Sequence, residues 1–159
     1  LYVLKRAYEA TERLLILIEP GTPEGFGRIL SAREILIGMG AHVLAPCPHS
    51  QACPLASAYQ EGKDWCHFSV RIPRGKYHRR AKAGSLPYED EKFSYLVVSP
   101  QPFQTADSRV IKAPIRKTGH VILDLCLKDE KLERQIVSKS DGEAYTRARD
   151  IEWGDEWEG

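Results

Sequence analysis

The four cysteines are the residues in this sequence best suited to chemistry: Cys47, Cys53, Cys66 and Cys126. Five residues separate the first two, twelve separate Cys53 from Cys66, and the fourth is remote. Four thiolates can close a tetrahedral zinc site or hold an iron–sulfur cluster. The tight cysteine pairs of a zinc ribbon are missing, and a remote fourth ligand suits a cluster at least as well. Spacing alone therefore leaves zinc and iron–sulfur open.

Four ordinary buried or free thiols are the alternative, because free cysteine is among the most buried residue types. His49 and His67 lie next to the predicted ligands. Each can replace a cysteine as ligand, but a supporting role around the metal or a simple loop position is the commoner case.

Basic residues form a second group with chemical potential. Six of them and no acid occupy residues 71–82, namely Arg71, Arg74, Lys76, Arg79, Arg80 and Lys82. Tyr77 and His78 lie among them, so charge can meet phosphates while rings stack on bases. A second basic stretch contains Arg109, Lys112, Arg116 and Lys117. Both stretches predict RNA contact, the alternative being a solvated helix face.

Evidence for catalytic side chains is weak. Glu89, Asp90 and Glu91 are adjacent, and adjacent carboxylates in a loop usually just face water. Neighbours such as Cys66 and His67 rarely point at each other, so the catalytic residues are unknown. Glu19 ends a predicted strand, where α/β folds place ligands. It can line a cofactor pocket or merely cap the next helix.

Size and composition predict one globular domain, or one domain plus an appendage. The chain has 159 residues, of which 42% are hydrophobic, and a net charge of +1 that says nothing about partners. No apolar run reaches the ~18 residues of a membrane span, and no signal peptide is visible. Four cysteines outside a secretory context favour metal ligands or reduced thiols. Because the sequence starts at Leu1 inside a helical pattern, we expect a piece of a longer protein.

The elements that must position these residues alternate between strand and helix. Residues 1–11 predict a helix, and residues 13–19 predict a buried parallel strand. Thr22 can cap a helix with Pro23 at its first position, ending near Gly40 and followed by a strand over 41–46. After the irregular Cys-rich segment, further elements are expected in the order strand 68–72, helix 76–83, strand 92–99, antiparallel strands 109–113, 120–127 and 132–139, and a helix over 143–151.

Several segments carry a resemblance to a known family, in order along most of the chain. They are residues 19–26, 45–49, 53–55, 64–69, 88–95, 117–121 and 153–155. Together they resemble the mitochondrial and bacterial family of small-ribosomal-subunit methyltransferase-like proteins, which contain an iron–sulfur site.

This resemblance implies an α/β fold, the C-terminal half of a Rossmann-like S-adenosylmethionine-dependent methyltransferase with a small antiparallel β appendage. Residues 1–100 would form the α/β part, with a Cys-rich insertion at 46–67, and residues 101–159 the appendage and final helix. Cys47, Cys53 and Cys66 match the family's 4Fe–4S ligands directly, and Cys126 matches with less local support. The implied role is ribosome assembly or translation, with rRNA and the small ribosomal subunit as partners, in the cytoplasm of bacteria or the mitochondrial matrix of eukaryotes.

The sequence departs from the methyltransferase pattern at the cofactor. The glycine-rich loop that would hold S-adenosylmethionine is missing from these residues, and Gly21, Gly25 and Gly27 do not replace it because they follow a late strand. We expect Gly25 and Gly27 to be turn or helix-packing residues. An active S-adenosylmethionine-dependent rRNA methyltransferase, with Glu19 in its cofactor pocket, and a zinc-stabilised RNA-binding module without enzymatic activity are the two alternatives.

Overall fold

The computed structural model describes residues 2–81 and 84–159. Along the chain the elements are α1 (Tyr2–Glu9), β1 (Leu15–Pro20), α2 (Pro23–Gly38), β2 (His42–Ala45), α3 (Ala56–Gln60), β3 (Phe68–Pro73), α4 (Lys76–Ala81), β4 (Tyr88–Ser99), β5 (Ser108–Val110), β6 (Ile115–Lys117), β7 (His120–Leu127), β8 (Leu132–Ser138), a 3₁₀ turn (Lys139–Asp141) and α5 (Glu143–Asp150). The fold is mixed α/β with two antiparallel sheets, consistent with a partial methyltransferase-like α/β fold. Every helix in the described residues is too short or too polar to cross a bilayer.

Strand β4 organises the first sheet. It lies between β1 and β2 and runs antiparallel to both, while its first half pairs with β3. The predicted parallel pairing of the first strand is therefore wrong. Strands β1 and β2 point the same way through the α2 crossover, but β4 separates them and takes up their hydrogen bonds.

The first strand is also less buried than its unbroken apolar run predicts. Leu15 and Leu17 face the core, whereas Ile16 and Ile18 are 57% and 67% exposed. A strand buried on both faces reads as a continuous apolar run. Here only one face of that run is covered in the described part of the chain.

Helix α2 forms as its capping chemistry predicts. The Thr22 hydroxyl accepts a hydrogen bond from the Gly25 amide at 3.1 Å, and Pro23 occupies the first helical position. The helix ends before Gly40, whose φ of +89° suits a residue without a Cβ. Its buried stripe faces the sheet and consists of Gly25, Phe26, Ile29, Leu30, Arg33 and Leu36. One charged residue, Arg33, is thus part of the core face.

The second sheet is built around β7, which pairs with β5 and β6 on one side and β8 on the other. Val121, Leu123 and Leu125 alternate inward and pack beneath Ala148 of α5 and Trp157 near the end of the chain. The predicted strands over 109–113, 120–127 and 132–139 correspond to β5, β7 and β8. The short β6 was not predicted.

A third apolar cluster joins the two sheets. It contains Phe26 and Leu30 of α2, Leu55 before α3, Ile111 after β5, and Cys126 of β7. The division into residues 1–100 and 101–159 stays a prediction. Both ranges contribute side chains to this cluster, which includes Cys126 and has Cys53 and Cys66 packed against it.

Candidate metal centre

All four cysteines line one cavity between the two sheets. Cys47 follows β2 after Pro46, Cys53 precedes α3, Cys66 leads into β3, and Cys126 lies within β7. The cavity has a volume of about 30 Å³, and its walls are mostly apolar. All four are free thiols. The chain therefore brings together thiols that are up to 79 residues apart in sequence.

Hydrogen bonds from distant elements hold the Cys-rich segment in place. Ser94 of β4 donates its hydroxyl to the Cys66 carbonyl at 2.8 Å. Thr105 donates to the Pro48 carbonyl at 2.8 Å, and the Trp65 indole donates to the Gly21 carbonyl at 3.1 Å. The short helix α3 was not predicted. A long irregular segment in a compact domain is expected to be pinned or functional, and this one is pinned.

The thiols differ in their electrostatic surroundings. Hydrogen bonding from Cys126, together with the nearby Arg33 charge, lowers the pKa of Cys47 to about 6. Burial raises the pKa of Cys53 and raises the pKa of Cys66 strongly. Its hydrogen bond to Cys47 and its burial also raise the pKa of Cys126. These surroundings favour the thiolate form at Cys47 and the protonated form at the other three, so metal binding by all four would release protons.

The donor set fits a thiolate-bound metal group, although the ligands are not gathered around one point. Within the described residues, no group of three or more His, Cys, Asp or Glu side chains is arranged to hold a single metal ion. Cys47 and Cys126 are in hydrogen-bonding contact, whereas Cys53 and Cys66 interact with Cys47 only at longer range. The four cysteines line one cavity instead.

Two buried arginines near the cysteines were not predicted as part of the site. Arg33 and Arg109 are both buried, and the Nε atom of each has no hydrogen-bond partner. Each charge also contributes to the lowered pKa of Cys47. The signal in the sequence for Arg33 was its position in the apolar stripe of α2, where a charge needs a buried partner. No comparable signal marks Arg109 in the sequence.

The two histidines beside the cysteines have different surroundings. His49 is buried, and its Nε2 lies 3.7 Å from the Cys126 sulfur. The ring of His67 stacks instead with Trp65 and Trp153, at centroid distances of 5.4 and 5.2 Å. His49 therefore faces the thiol cluster, while His67 belongs to an aromatic stack at its edge.

Several predicted RNA-binding residues are engaged by acidic or backbone groups. Arg71 pairs with Asp90 at 2.7 Å, Lys112 pairs with Asp64 at 2.5 Å, and Arg74 pairs with Glu89. Arg116 donates to the backbone carbonyls of Arg149 and Ile151. These four side chains support the local structure, so less of their charge is available to a ligand.

Of the other residues in the two basic stretches, Arg109 is buried and pairs with Glu156, and four more line two surface depressions. Lys76, Arg79 and Arg80 of α4 surround the first, together with Tyr77, which is 86% exposed. Lys117 lines the second with two basic residues that were not predicted, Lys139 and Arg149. Lys82 lies outside the described residues.

The residues considered for the methyl donor are occupied by local contacts. The Glu19 carboxylate accepts a hydrogen bond from Arg28 Nε of α2 at 2.9 Å. A Cβ on Gly25 would lie 1.9 Å from the Pro20 carbonyl oxygen, and one on Gly27 would lie 2.1 Å from the Tyr59 hydroxyl. The prediction that these two glycines serve helix packing is confirmed. The role of Glu19 in a cofactor pocket stays a prediction.

Comparison with known proteins shows the family to which this α/β chain belongs. A family model described as "Mitochondrial small ribosomal subunit Rsm22" matches residues 2–158. The chain belongs to this family, which confirms the resemblance seen in the sequence.

Three curated relatives show how much of a family member the chain represents. It is 31% identical to "Rsm22-cox11 tandem protein 2, mitochondrial" of Schizosaccharomyces pombe, covering 89% of this chain and 24% of the relative. It is 27% identical to "Ribosome assembly protein RSM22, mitochondrial" of Saccharomyces cerevisiae, covering 72% and 28%. It is 24% identical to "Ribosome assembly protein METTL17, mitochondrial" of Homo sapiens, covering 96% and 34%. The chain thus spans between a quarter and about a third of these relatives.

Proposed function

We propose that this chain is part of an assembly protein of the mitochondrial small ribosomal subunit, in which the four cysteines hold a 4Fe–4S cluster. The cluster would fasten the Cys-rich segment and the second sheet to the first sheet, and basic surfaces would contact rRNA. The observation that carries the proposal is the convergence of Cys47, Cys53, Cys66 and Cys126 on one buried cavity. The relatives that are named as mitochondrial ribosome assembly proteins support the setting, and the mitochondrial matrix is the expected compartment.

The arrangement of the thiols supports a cluster over a single zinc ion. A structural zinc site needs four ligands at about 2.0–2.3 Å from one centre, whereas a cluster takes its cysteines at the corners of a larger object. The cysteines border a cavity and do not meet at a point. When bound, the cluster would supply four iron–thiolate bonds as cross-links.

The positions of the four cysteines support a structural role for those cross-links. Cys47, Cys53 and Cys66 lie between β2 and β3, and Cys126 lies in the middle of the second sheet. Metal bonds to all four would join segments whose apolar contact is the small cluster around Phe26 and Ile111. A site of this kind contributes its binding free energy to folding.

The exposed basic residues support contact with RNA through the phosphate backbone. Lys76, Arg79 and Arg80 lie on α4, in the connection between β3 and β4, with Tyr77 beside them. Lys117, Lys139 and Arg149 form a second basic surface next to β6 and β7. Backbone contact of this type would be sensitive to salt and largely independent of sequence.

S-adenosylmethionine enters the proposal only as a cofactor of the longer family members. The described residues do not fit this cofactor, because neighbouring atoms occupy the space next to Gly25 and Gly27 and because Arg28 donates to the Glu19 carboxylate. No methyl-transfer step follows from these residues. A methyl-transfer assay on small-subunit RNA with a full-length protein tests the alternative. Robust turnover that Cys47→Ser leaves unchanged would favour an enzyme in which the cluster is incidental.

The cluster is tested by metal content and spectroscopy of anaerobically purified protein. We expect a brown sample with about four iron atoms per chain and a Mössbauer spectrum typical of a 4Fe–4S centre. Cys126→Ser should reduce iron content, and Ser57→Ala, which changes an exposed hydroxyl on α3 within the Cys-rich segment, should not. A colourless protein with stoichiometric zinc would overturn the cluster assignment and support the zinc-stabilised module.

The RNA surface is tested by affinity measured across salt concentrations. Replacing Arg79 and Arg80 together with Ala should weaken RNA binding and lower the salt slope by about 0.7–0.9 for each phosphate that the variant no longer neutralises. The matched control is Arg134→Ala, because Asp124 already pairs with that guanidinium at 2.8 Å. If the double variant binds RNA with unchanged affinity and slope, α4 is not the RNA surface.

A further inference from the structure

Arg33 is a buried charge that the fold alone does not explain. It is 4% exposed and lies on the core face of α2, between Ile29 and Leu36. A buried guanidinium costs several kcal/mol unless it is paired and hydrogen-bonded. Its Nη2 donates to the His49 carbonyl at 3.0 Å, but its Nε has no partner. Among the described residues, none of its hydrogen-bond or ion-pair partners is a carboxylate.

In the cysteine cavity, Arg33 lies beside groups that can become anionic. Arg33 lines this cavity together with the four thiols. Its hydrogen-bond partner, the carbonyl of His49, belongs to the segment that begins at Cys47. The guanidinium thus holds the turn after Cys47 and also places a positive charge near the Cys47 thiol.

Arg109 shows what a charge-balanced buried arginine looks like nearby. Its Nη2 pairs with Glu156 at 2.9 Å, and its Nη1 donates to the Gly154 carbonyl at 2.8 Å. Its charge is therefore compensated by a carboxylate of its own chain. Arg33 donates to the backbone carbonyl of His49, and no carboxylate among the described residues pairs with it, which leaves its positive charge available to the thiolates.

We infer that Arg33 is a positioning residue of the thiolate centre, which holds the turn after Cys47 and compensates the negative charge that four thiolates bring into the core. This inference rests on the proposed metal centre but does not depend on which metal fills it. Any centre with four thiolate ligands around a metal core of charge +2 carries a net negative charge. A fixed cation in a low-dielectric site stabilises such a centre far more than a solvated one would.

The first test titrates Co²⁺ into the metal-free protein and detects binding by the absorption bands of cobalt–thiolate coordination. Arg33→Gln should weaken Co²⁺ binding about tenfold or more, and Arg33→Lys should recover part of the loss because the charge remains but the planar fork is gone. Leu36→Ala is the matched control: it is fully buried on the same helix but does not line the cavity. It should lower thermal stability and leave Co²⁺ affinity within about twofold of wild type.

The second test measures the one-electron midpoint potential of the iron-loaded protein, with dithionite as the electron donor and the cluster as acceptor. Loss of the Arg33 charge should disfavour the more negative reduced state. We expect about a tenfold change in the equilibrium constant, which corresponds to about 59 mV, towards lower potential in Arg33→Gln. Leu36→Ala should leave the potential unchanged, because a purely structural defect does not alter the charge near the cluster.

The outcomes separate the inference from the proposed function. If the wild-type protein contains no iron but Arg33→Gln still binds Co²⁺ more weakly than wild type, the cluster is overturned and the role of Arg33 is retained. If the wild-type protein contains iron but Arg33→Gln has the same Co²⁺ affinity and the same potential as wild type, the cluster is retained and the role of Arg33 is overturned. Equal loss of Co²⁺ affinity in Arg33→Gln and Leu36→Ala would also overturn it, since the effect would then be general destabilisation.

Discussion

Replacing Gly25 with alanine tests how closely α2 approaches the end of β1. Gly25 lies in the first turn of α2, directly above the carbonyl of Pro20. An added Cβ would stand 1.9 Å from that oxygen and 3.4 Å from the Cβ of Glu19. The contact is with backbone, so no side-chain rotation can relieve it. The helix must move away from the strand, or the turn at Gly21 must deform.

The expected loss of stability follows from two opposing effects. Forcing a methyl group into a packed position costs ~1–3 kcal/mol, and a backbone obstacle places this case at the upper end. Alanine in place of glycine recovers up to ~1 kcal/mol of helix propensity. The net loss is about 2 kcal/mol. For a domain of this size, this corresponds to a drop in melting temperature of ~4–8 °C.

The assay is thermal unfolding followed by circular dichroism, with Gly38→Ala as control. Gly38 lies at the other end of α2, and a Cβ there would meet no atom within 4 Å. The control should therefore be neutral or stabilised by up to ~1 kcal/mol. If Gly25→Ala is as stable as Gly38→Ala, the close packing of α2 on β1 is wrong. Because α2 carries Arg33, Gly25→Ala should also lower metal occupancy, and Gly38→Ala should not.

Three further predictions concern stability and the metal. Thr22→Ala should cost ~1 kcal/mol by removing the cap of α2; an unchanged urea midpoint would argue against that cap. Leu123→Ala, at the centre of the second sheet, should cost ~2–5 kcal/mol in urea unfolding, and a loss below about 1 kcal/mol would contradict its full burial. Removing the metal with a chelator should speed hydrogen exchange in residues 46–67 and in β7 but not in β1; uniform acceleration, or none, would count against a local fastening role.

Helix α2 was the element best predicted from sequence, because its signals are local. Thr22, Pro23 and Gly40 fix its two ends through capping and backbone conformation. The apolar stripe that begins at Phe26 fixes its buried face. Each of these signals lies within a few residues of the structure that it determines.

The pairing in the first sheet was not predictable from local sequence. The partner of Leu15 is Val98, and no periodicity in β1 encodes a strand more than eighty residues away. The apolar run of β1 predicts burial on both faces and hence a parallel neighbour. The strand that inserts beside it, β4, is antiparallel, and its own sequence does not specify which partners it will take.

The candidate site was predictable in its ligand types but not in its surroundings. Cys47 and Cys126 could be named as ligands, but only the fold shows that they line the same cavity. From sequence, every basic residue over 71–82 looked available to bind RNA. The register of β3 and β4 brings Asp90 and Glu89 beside two of these residues, and this register is not visible in the sequence. Arg33 was not predicted because an arginine in a helix usually faces water, although its position in the apolar stripe of α2 was a signal that it is buried.

The central position of β4 also constrains the order of folding. In a chain that emerges N-terminus first, β1, β2 and β3 cannot form their pairings until β4 is available, because each of them pairs with β4. Cys126 follows later still, after the strands of the first sheet but before β8, which pairs with β7 along most of its length. Loops this long make such contacts slow to form. A metal centre that needs Cys126 can therefore close only after every strand of the first sheet is available, and its closure would follow the assembly of that sheet.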